Sequence, residues 1–230
     1  REHLRMAKQV SRTIWFVASL LFVIGAMVAL MSSGVVGASG GVFTGTAAAE
    51  PVGDRQLHPA IADPANITPS RAEEIYQAIR HRMRDRYAQS GDPLFSAYQD
   101  WKRFTRQPYR AGSHGERFVH HYVNEPAEIY GDYEKAGPLP TGSIVIKDSF
   151  TVTKRGQVMF GPLFLMEKMS DGFGSAAGTW RFMMLRPDGS VVGLTGGTNE
   201  AAVRFCAECH ARAGAEQDFL YFMPDEARHR

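Results

Sequence analysis

The chain has 230 residues, 44% hydrophobic and 22% charged, with a formal net charge of +2. That balance suits one ordinary globular domain with an appendage. So small a charge argues against nucleic acid as a partner and against purely electrostatic binding to a membrane surface.

The first segment is basic, with Arg1, Arg5, Lys8 and Arg12. An uninterrupted apolar run follows over residues 13–31, with Trp15 near its start. At about 1.5 Å per residue, roughly 19 residues cross a hydrocarbon core of ~30 Å, so the run is expected to be a transmembrane helix. Positive charge before it and little after it orients the N-terminus to the cytoplasm and the rest outside. A cleavable signal peptide is the rival reading: its apolar region is usually shorter, and the Ala47-Ala48-Ala49 site lies far beyond the run. Both readings deliver the same domain to the same compartment, the periplasmic side of a bacterial inner membrane. Residues 32–66 read as a flexible linker, rich at first in Gly, Ala, Ser and Thr.

Residues 67–107 read as a helical segment. Thr68-Pro69-Ser70 is a start signal, with Glu73 at capping-box spacing from Ser70. Ile75, Ile79, Met83 and Tyr87 fall four apart and define an apolar stripe. Gly91-Asp92-Pro93 closes that helix and opens a second, carrying Leu94, Tyr98 and Trp101 and stopping near Arg106.

From residue 108 to 230 the pattern changes to short alternating runs. Strands are expected over 118–123, 143–150 and 158–169, the last interrupted by Pro162, and a helix over 127–135. Residues 180–186 and 190–194, around Pro187-Asp188-Gly189, carry a hairpin signature. The predicted fold class is α+β: an antiparallel β-sheet with helices, preceded by the N-terminal transmembrane helix.

The strongest signal lies near the C-terminus. Cys206-Ala207-Glu208-Cys209-His210 holds both cysteines of the chain and a histidine directly after the second. That is the attachment pattern of a c-type haem: two thiols for the two vinyl groups, one imidazole for the iron. On a helix, Cys206 and His210 share a face. A zinc site would need more ligands than the two cysteines supply. A thioredoxin-like pair would sit in a βαβ unit, and none is apparent. The expectation is one covalent haem c, with Cys206 and Cys209 as attachment sites and His210 as iron ligand.

The region 108–224 resembles the cytochrome P-460 family. The elements are Tyr109-Arg110, His121-Tyr122-Val123-Asn124, the run Pro140-Thr141-Gly142-Ser143-Ile144-Val145-Ile146-Lys147, Gly178-Thr179-Trp180, and the haem motif followed by Asp218-Phe219. The resemblance implies an antiparallel sheet and helices around one haem c, homodimers as is frequent in the family, and an iron open on its distal side. Members that oxidise hydroxylamine cross-link a lysine to the porphyrin. Related proteins without the link bind nitric oxide or carbon monoxide.

Lys147 matches the cross-linking position. Chemistry there needs a near-neutral amine, which burial would provide; the plain alternative is a strand lysine with its head in water. Where the hydroxylamine oxidisers place an arginine, this chain has Val119, with Arg117, His120 and His121 nearby. On a strand His120 and His121 point to opposite faces, so at most one, with His120 taken as the candidate, offers a proton-transfer group. Of the haem-side methionines, Met159, Met166, Met169, Met183 and Met184, Met166 is the first candidate for a sixth ligand that would close the iron. Trp180, Phe182, Phe205 and Phe219 read as core or haem-wall aromatics.

Two functions stay open at this point. One is a membrane-anchored monohaem cytochrome binding or oxidising a small nitrogen ligand at an open iron. The other is a non-catalytic electron-transfer subunit beside a membrane complex, because tethering raises effective concentration for a membrane partner. Either needs a periplasmic or membrane redox partner.

Overall fold

The computed structural model describes residues 63–229. The expected anchor at 13–31 and most of the linker lie outside them. Among the described residues no helix is long and apolar enough to cross a membrane.

The first helix, α1, runs Pro69–Tyr87. Thr68 is its N-cap: the Oγ1 accepts from the Arg71 amide at 3.2 Å, and Pro69 follows at the first helical position. Ser70 is therefore inside the helix, and Glu73 is not a capping-box partner. Its carboxylate instead reaches across to Arg103 and His120. The buried stripe is Ala72, Tyr76, Ile79, Met83 and Tyr87, with Ile75 only half-buried at its margin. The expected second helix shrinks to α2 (Leu94–Ala97) and a 3₁₀ turn, after which Trp101 turns the chain into extended backbone. The 127–135 helix is a 3₁₀ run, Glu125–Lys135, broken at Tyr133, whose φ is +52°.

The strands are β1 (Lys102–Arg103), β2 (Tyr109–Ala111), β3 (Arg117–Val123), β4 (Ile144–Val152), β5 (Val158–Phe160), β6 (Leu163–Lys168), β7 (Trp180–Leu185) and β8 (Val191–Leu194). They form one antiparallel sheet in the order β1-β3-β4-β6-β7-β8, with β2 also on β3 and β5 also on β4. Pro162 separates β5 from β6 as its missing N–H requires. The fold is α+β, as expected.

The period of two divides the sheet between two cores. Phe118, Tyr122, Ile146, Phe150, Leu163, Leu165 and Leu185 face α1 and pack on Tyr76, Ile79, Met83 and Tyr87. Val123, Val145, Met166, Trp180 and Phe182 belong to the second core, with Tyr130, Ala207, Leu220 and Met223. Each such side chain taken fully from water contributes about 1.5–3 kcal/mol. The haem-motif helix, α3 (Arg204–His210), contacts β7 and lies with this second core.

The α1 side also buries a polar network. Tyr76 Oη donates to Asp148 Oδ2 at 2.7 Å and Tyr98 Oη donates to it at 3.0 Å, while Tyr76 and Tyr122 hydroxyls meet at 2.5 Å. Asp148 Oδ1 has no partner among the described residues. Burial raises its carboxyl to about 6, against the lowering pull of Tyr76 and Tyr98.

Candidate functional site

A cavity of about 410 Å³ opens on the sheet face away from α1. Val145, Lys147, Phe164 and Met166 come from the middle strands, and Phe182 and Met183 from β7. Tyr109 to His114 form a further wall, with Phe205, Cys206, Cys209, His210 and the Tyr221-Phe222 segment completing it.

The helix α3 brings Cys206, Cys209 and His210 to one face, since three and four residues make about one turn. Both thiols are free and half-buried. Burial, with the neighbouring Cys209, pushes the Cys206 thiol up to about 12, so it is a neutral thiol at neutral pH.

His210 is buried, and its Nδ1–H donates to the Phe219 carbonyl at 2.8 Å. That bond fixes the tautomer and leaves Nε2 with its lone pair. Burial, aided by the charge of Lys147, lowers the imidazole to about 3, so it is neutral and competent as a ligand. Phe182 and Tyr221 flank the ring at 5.2 and 5.4 Å between centroids.

The accepting carbonyl is held in place by an unusual turn. Asp218 and Phe219 are consecutive non-glycine residues in the left-handed region, φ +51° and +60°. Lys168 pairs with Asp218 Oδ1, the Leu139 amide donates to Oδ2 at 2.9 Å, and Trp180 Nε1 donates to the Asp218 carbonyl at 2.7 Å. Gly178 lies under the Phe219 ring: a Cβ there would meet it at 2.6 Å. The Gly178-Thr179-Trp180 and Asp218-Phe219 motifs are thus two halves of one support for His210.

Lys147 lies within β4, opposite His121 of β3. It is 6% exposed and lines the cavity. Its ammonium has no hydrogen-bond partner among the described residues. Burial lowers it to about 8, against the opposing pull of the two cysteine thiols. That opposing pull disappears if the thiols become thioethers, which carry no titrating proton.

His120 does not share the site. It faces α1, its Nε2 2.9 Å from Glu73 and its Nδ1 2.6 Å from the Thr105 hydroxyl, with the Tyr76 ring 4.2 Å away. His121, on the cavity face of β3, meets Tyr109 and Tyr130. Val119, in register with Tyr109 and Ser149, is buried and apolar. Arg117 does not line the cavity; its guanidinium donates to the His114 carbonyl at 2.9 Å and props the loop. Met166 and Met183 are on the wall, whereas Met159 is 51% exposed. Phe182 and Phe205 line the cavity; Trp180 and Phe219 support it from the second core.

Sequence reasoning missed His114. It lines the cavity and packs edge-on against Phe164 at 4.8 Å. The available signal was its place in Gly112-Ser113-His114-Gly115, where Gly115 takes φ +74° and the following Glu116 +59°. A glycine-flanked loop of this kind lets a polar side chain fold over a cavity.

The residues present fit a c-type haem: two free thiols and one neutral imidazole on a helical turn, facing a largely apolar cavity, the imidazole already oriented by a carbonyl. No curated protein matches the chain. The family model described as cytochrome P460 matches residues 95–222. The match spans the sheet, the cavity and α3, and with it the chain belongs to the cytochrome P460 family, whose members are c-type haem proteins, and carries one covalent haem c.

Proposed function

We propose that this is a membrane-anchored periplasmic cytochrome whose haem iron, ligated by His210 and tethered through Cys206 and Cys209, keeps a coordination position open for a small nitrogen ligand, nitric oxide or hydroxylamine. When bound, the group supplies an exchangeable iron position and one-electron redox chemistry. The protein's residues do the rest. α3 presents the thiols and imidazole; Phe164, Phe182 and Phe205 keep water out; Lys147 offers an amine at the wall.

The observation that carries this reading is Lys147. Its stem is buried in the sheet while its ammonium reaches the cavity with no hydrogen-bond partner among the described residues, a placement that costs desolvation. An amine held near 8 is partly neutral at neutral pH. It is therefore competent as a proton acceptor from a protonated nitrogen substrate, and a link to a porphyrin edge would break one N–H and one ring C–H bond, release two protons and pass two electrons to an oxidant such as a peroxide. Oxidation of such a substrate requires electrons to leave through a periplasmic or membrane partner.

Met166 and Met183 on the cavity wall favour the second reading, a closed six-coordinate electron carrier. Spectra of the purified ferric and ferrous protein separate the two. High-spin ferrous iron that takes up carbon monoxide is the expected result. Low-spin iron with a methionine charge-transfer band and no uptake supports the electron carrier. A red-shifted ferrous band, lost in Lys147→Ala, reports the lysine link.

A further inference from the structure

Three groups beside the cavity form a linear hydrogen-bond chain that ends at its wall. Tyr109 Oη lies 2.9 Å from His121 Nε2, and His121 Nδ1 lies 2.9 Å from Tyr130 Oη. His121 is wholly buried and Tyr130 is 1% exposed; of the three, only Tyr109 lines the cavity. Burial, together with the charge of Lys147, holds the His121 imidazole well below its ordinary value, so it is neutral. A neutral imidazole has one N–H and one lone pair, so one tyrosine donates to it and the other accepts from it.

Burial decides which. Tyr130 Oη has no other hydrogen-bond partner among the described residues, and a buried O–H left unpaired is costly. Tyr130 therefore donates to Nδ1, and the ring proton sits on Nε2, where it donates to Tyr109 Oη. The Tyr109 hydroxyl oxygen is then occupied as an acceptor, and its own proton is left for a second acceptor, which the cavity that Tyr109 lines can supply.

We propose that Tyr109 is the hydrogen-bond donor to the small ligand bound at the haem iron, its proton aimed into the cavity by the tautomer that Tyr130 imposes on His121. This rests on the open-iron reading above and adds a discriminating group to it. The donor favours ligands whose outer atom accepts a hydrogen bond, such as nitric oxide, and does nothing for purely apolar molecules.

The test uses the mature haem-bearing protein in its diamagnetic ferrous carbonyl form. The ¹⁵N shifts of His121 are expected to show a protonated Nε2 and a lone pair on Nδ1. The C–O stretch is expected to be sensitive to deuterium oxide. In Tyr109→Phe it moves to higher wavenumber and loses that sensitivity, and carbon monoxide leaves roughly fivefold faster, as loss of one hydrogen bond implies. A protonated Nδ1 overturns the proposal, and needs no variant to be seen. So does a stretch unmoved in Tyr109→Phe while the propionate bending modes shift, which assigns the donor to the porphyrin edge. Wild-type protein that takes up no carbon monoxide overturns the open-iron reading and the proposal with it; uptake with an unshifted stretch overturns the proposal alone.

Discussion

The imidazole of His210 is anchored to the main-chain carbonyl of Phe219, with Nδ1 and oxygen 2.8 Å apart. Because that carbonyl belongs to a left-handed pair of residues, its direction depends on the side chain of Asp218 rather than on regular secondary structure. Breaking one partner of the buried Lys168–Asp218 pair should cost on the order of 3 kcal/mol. Asp218→Ala is expected to lower the melting temperature, and also to shift the iron–histidine stretching frequency of the ferrous protein. A fall in stability with an unmoved frequency would mean that the turn does not orient the imidazole.

Gly178 makes the same support sensitive to a single methyl group. Its φ of +65° already disfavours a side chain, and the Phe219 ring fills the space a Cβ would take. Gly178→Ala should destabilise by roughly 1–3 kcal/mol. It should also perturb the same iron–histidine frequency, although residue 178 is far from His210 in sequence. Calorimetry and resonance Raman spectroscopy on one sample check both.

The pair beneath α1 predicts acid lability. Burial lowers His120 to about 4, against the raising pull of Glu73. For Glu73, burial is outweighed by hydrogen bonds from His120 and Gln77, which take it to about 2. Both folded values lie below the unfolded ones. Their contribution is therefore complete above about pH 6.5 and is lost as pH falls, through His120 between 6.5 and 4 and through Glu73 between 4.5 and 2. His120→Asn should flatten the fall in melting temperature between pH 6.5 and 4. Because His120 faces away from the cavity, the spectrum of the bound haem should be unchanged.

Asp148 predicts the opposite slope. Its folded value, about 6, lies above the unfolded 3.8, so the folded chain holds a proton that the unfolded chain has lost. Stability from this group is present below pH 3.8 and declines as pH rises through 6. The difference amounts to roughly 2–3 kcal/mol at neutral pH. Asp148→Asn should therefore stabilise at pH 7 and give no gain at pH 4. Equal effects at both values would contradict the buried, protonated carboxyl.

Much of this architecture could be read from the residues. Strand alternation and turn chemistry located β3, β4, β7 and β8 within a residue or two, the run expected over 158–169 divides at Pro162 into β5 and β6, and the haem motif located α3. Misread elements were those where local pattern competes with tertiary contact. Ser70 looked like a cap because Glu73 follows at the right spacing, but Glu73 is drawn away by His120 and Arg103. Tyr76 falls outside the four-apart series of Ile75, Ile79, Met83 and Tyr87, yet it is fully buried, its hydroxyl satisfied inside by Asp148 and Tyr122. The segment after Asp92 has helical spacing, yet it is pulled straight so that β1 can pair with β3. His114 carries no periodic signal, since a loop position is fixed by backbone turns and by Arg117 rather than by a repeating face. The histidine that reaches the cavity side of β3 is His121, because the register setting His121 opposite Lys147 turns His120 toward α1.

Attachment of one haem through Cys206 and Cys209, with His210 on its iron, underlies every proposal above. The most direct measurement is the intact mass of the protein matured outside the cytoplasm, followed by sequencing of the peptide that retains iron-porphyrin absorbance. The expected result is a mass greater than the polypeptide by one haem, carried on the peptide containing both cysteines and resistant to acid-acetone extraction. A mass equal to that of the amino acids alone, or a porphyrin extracted intact, would contradict it.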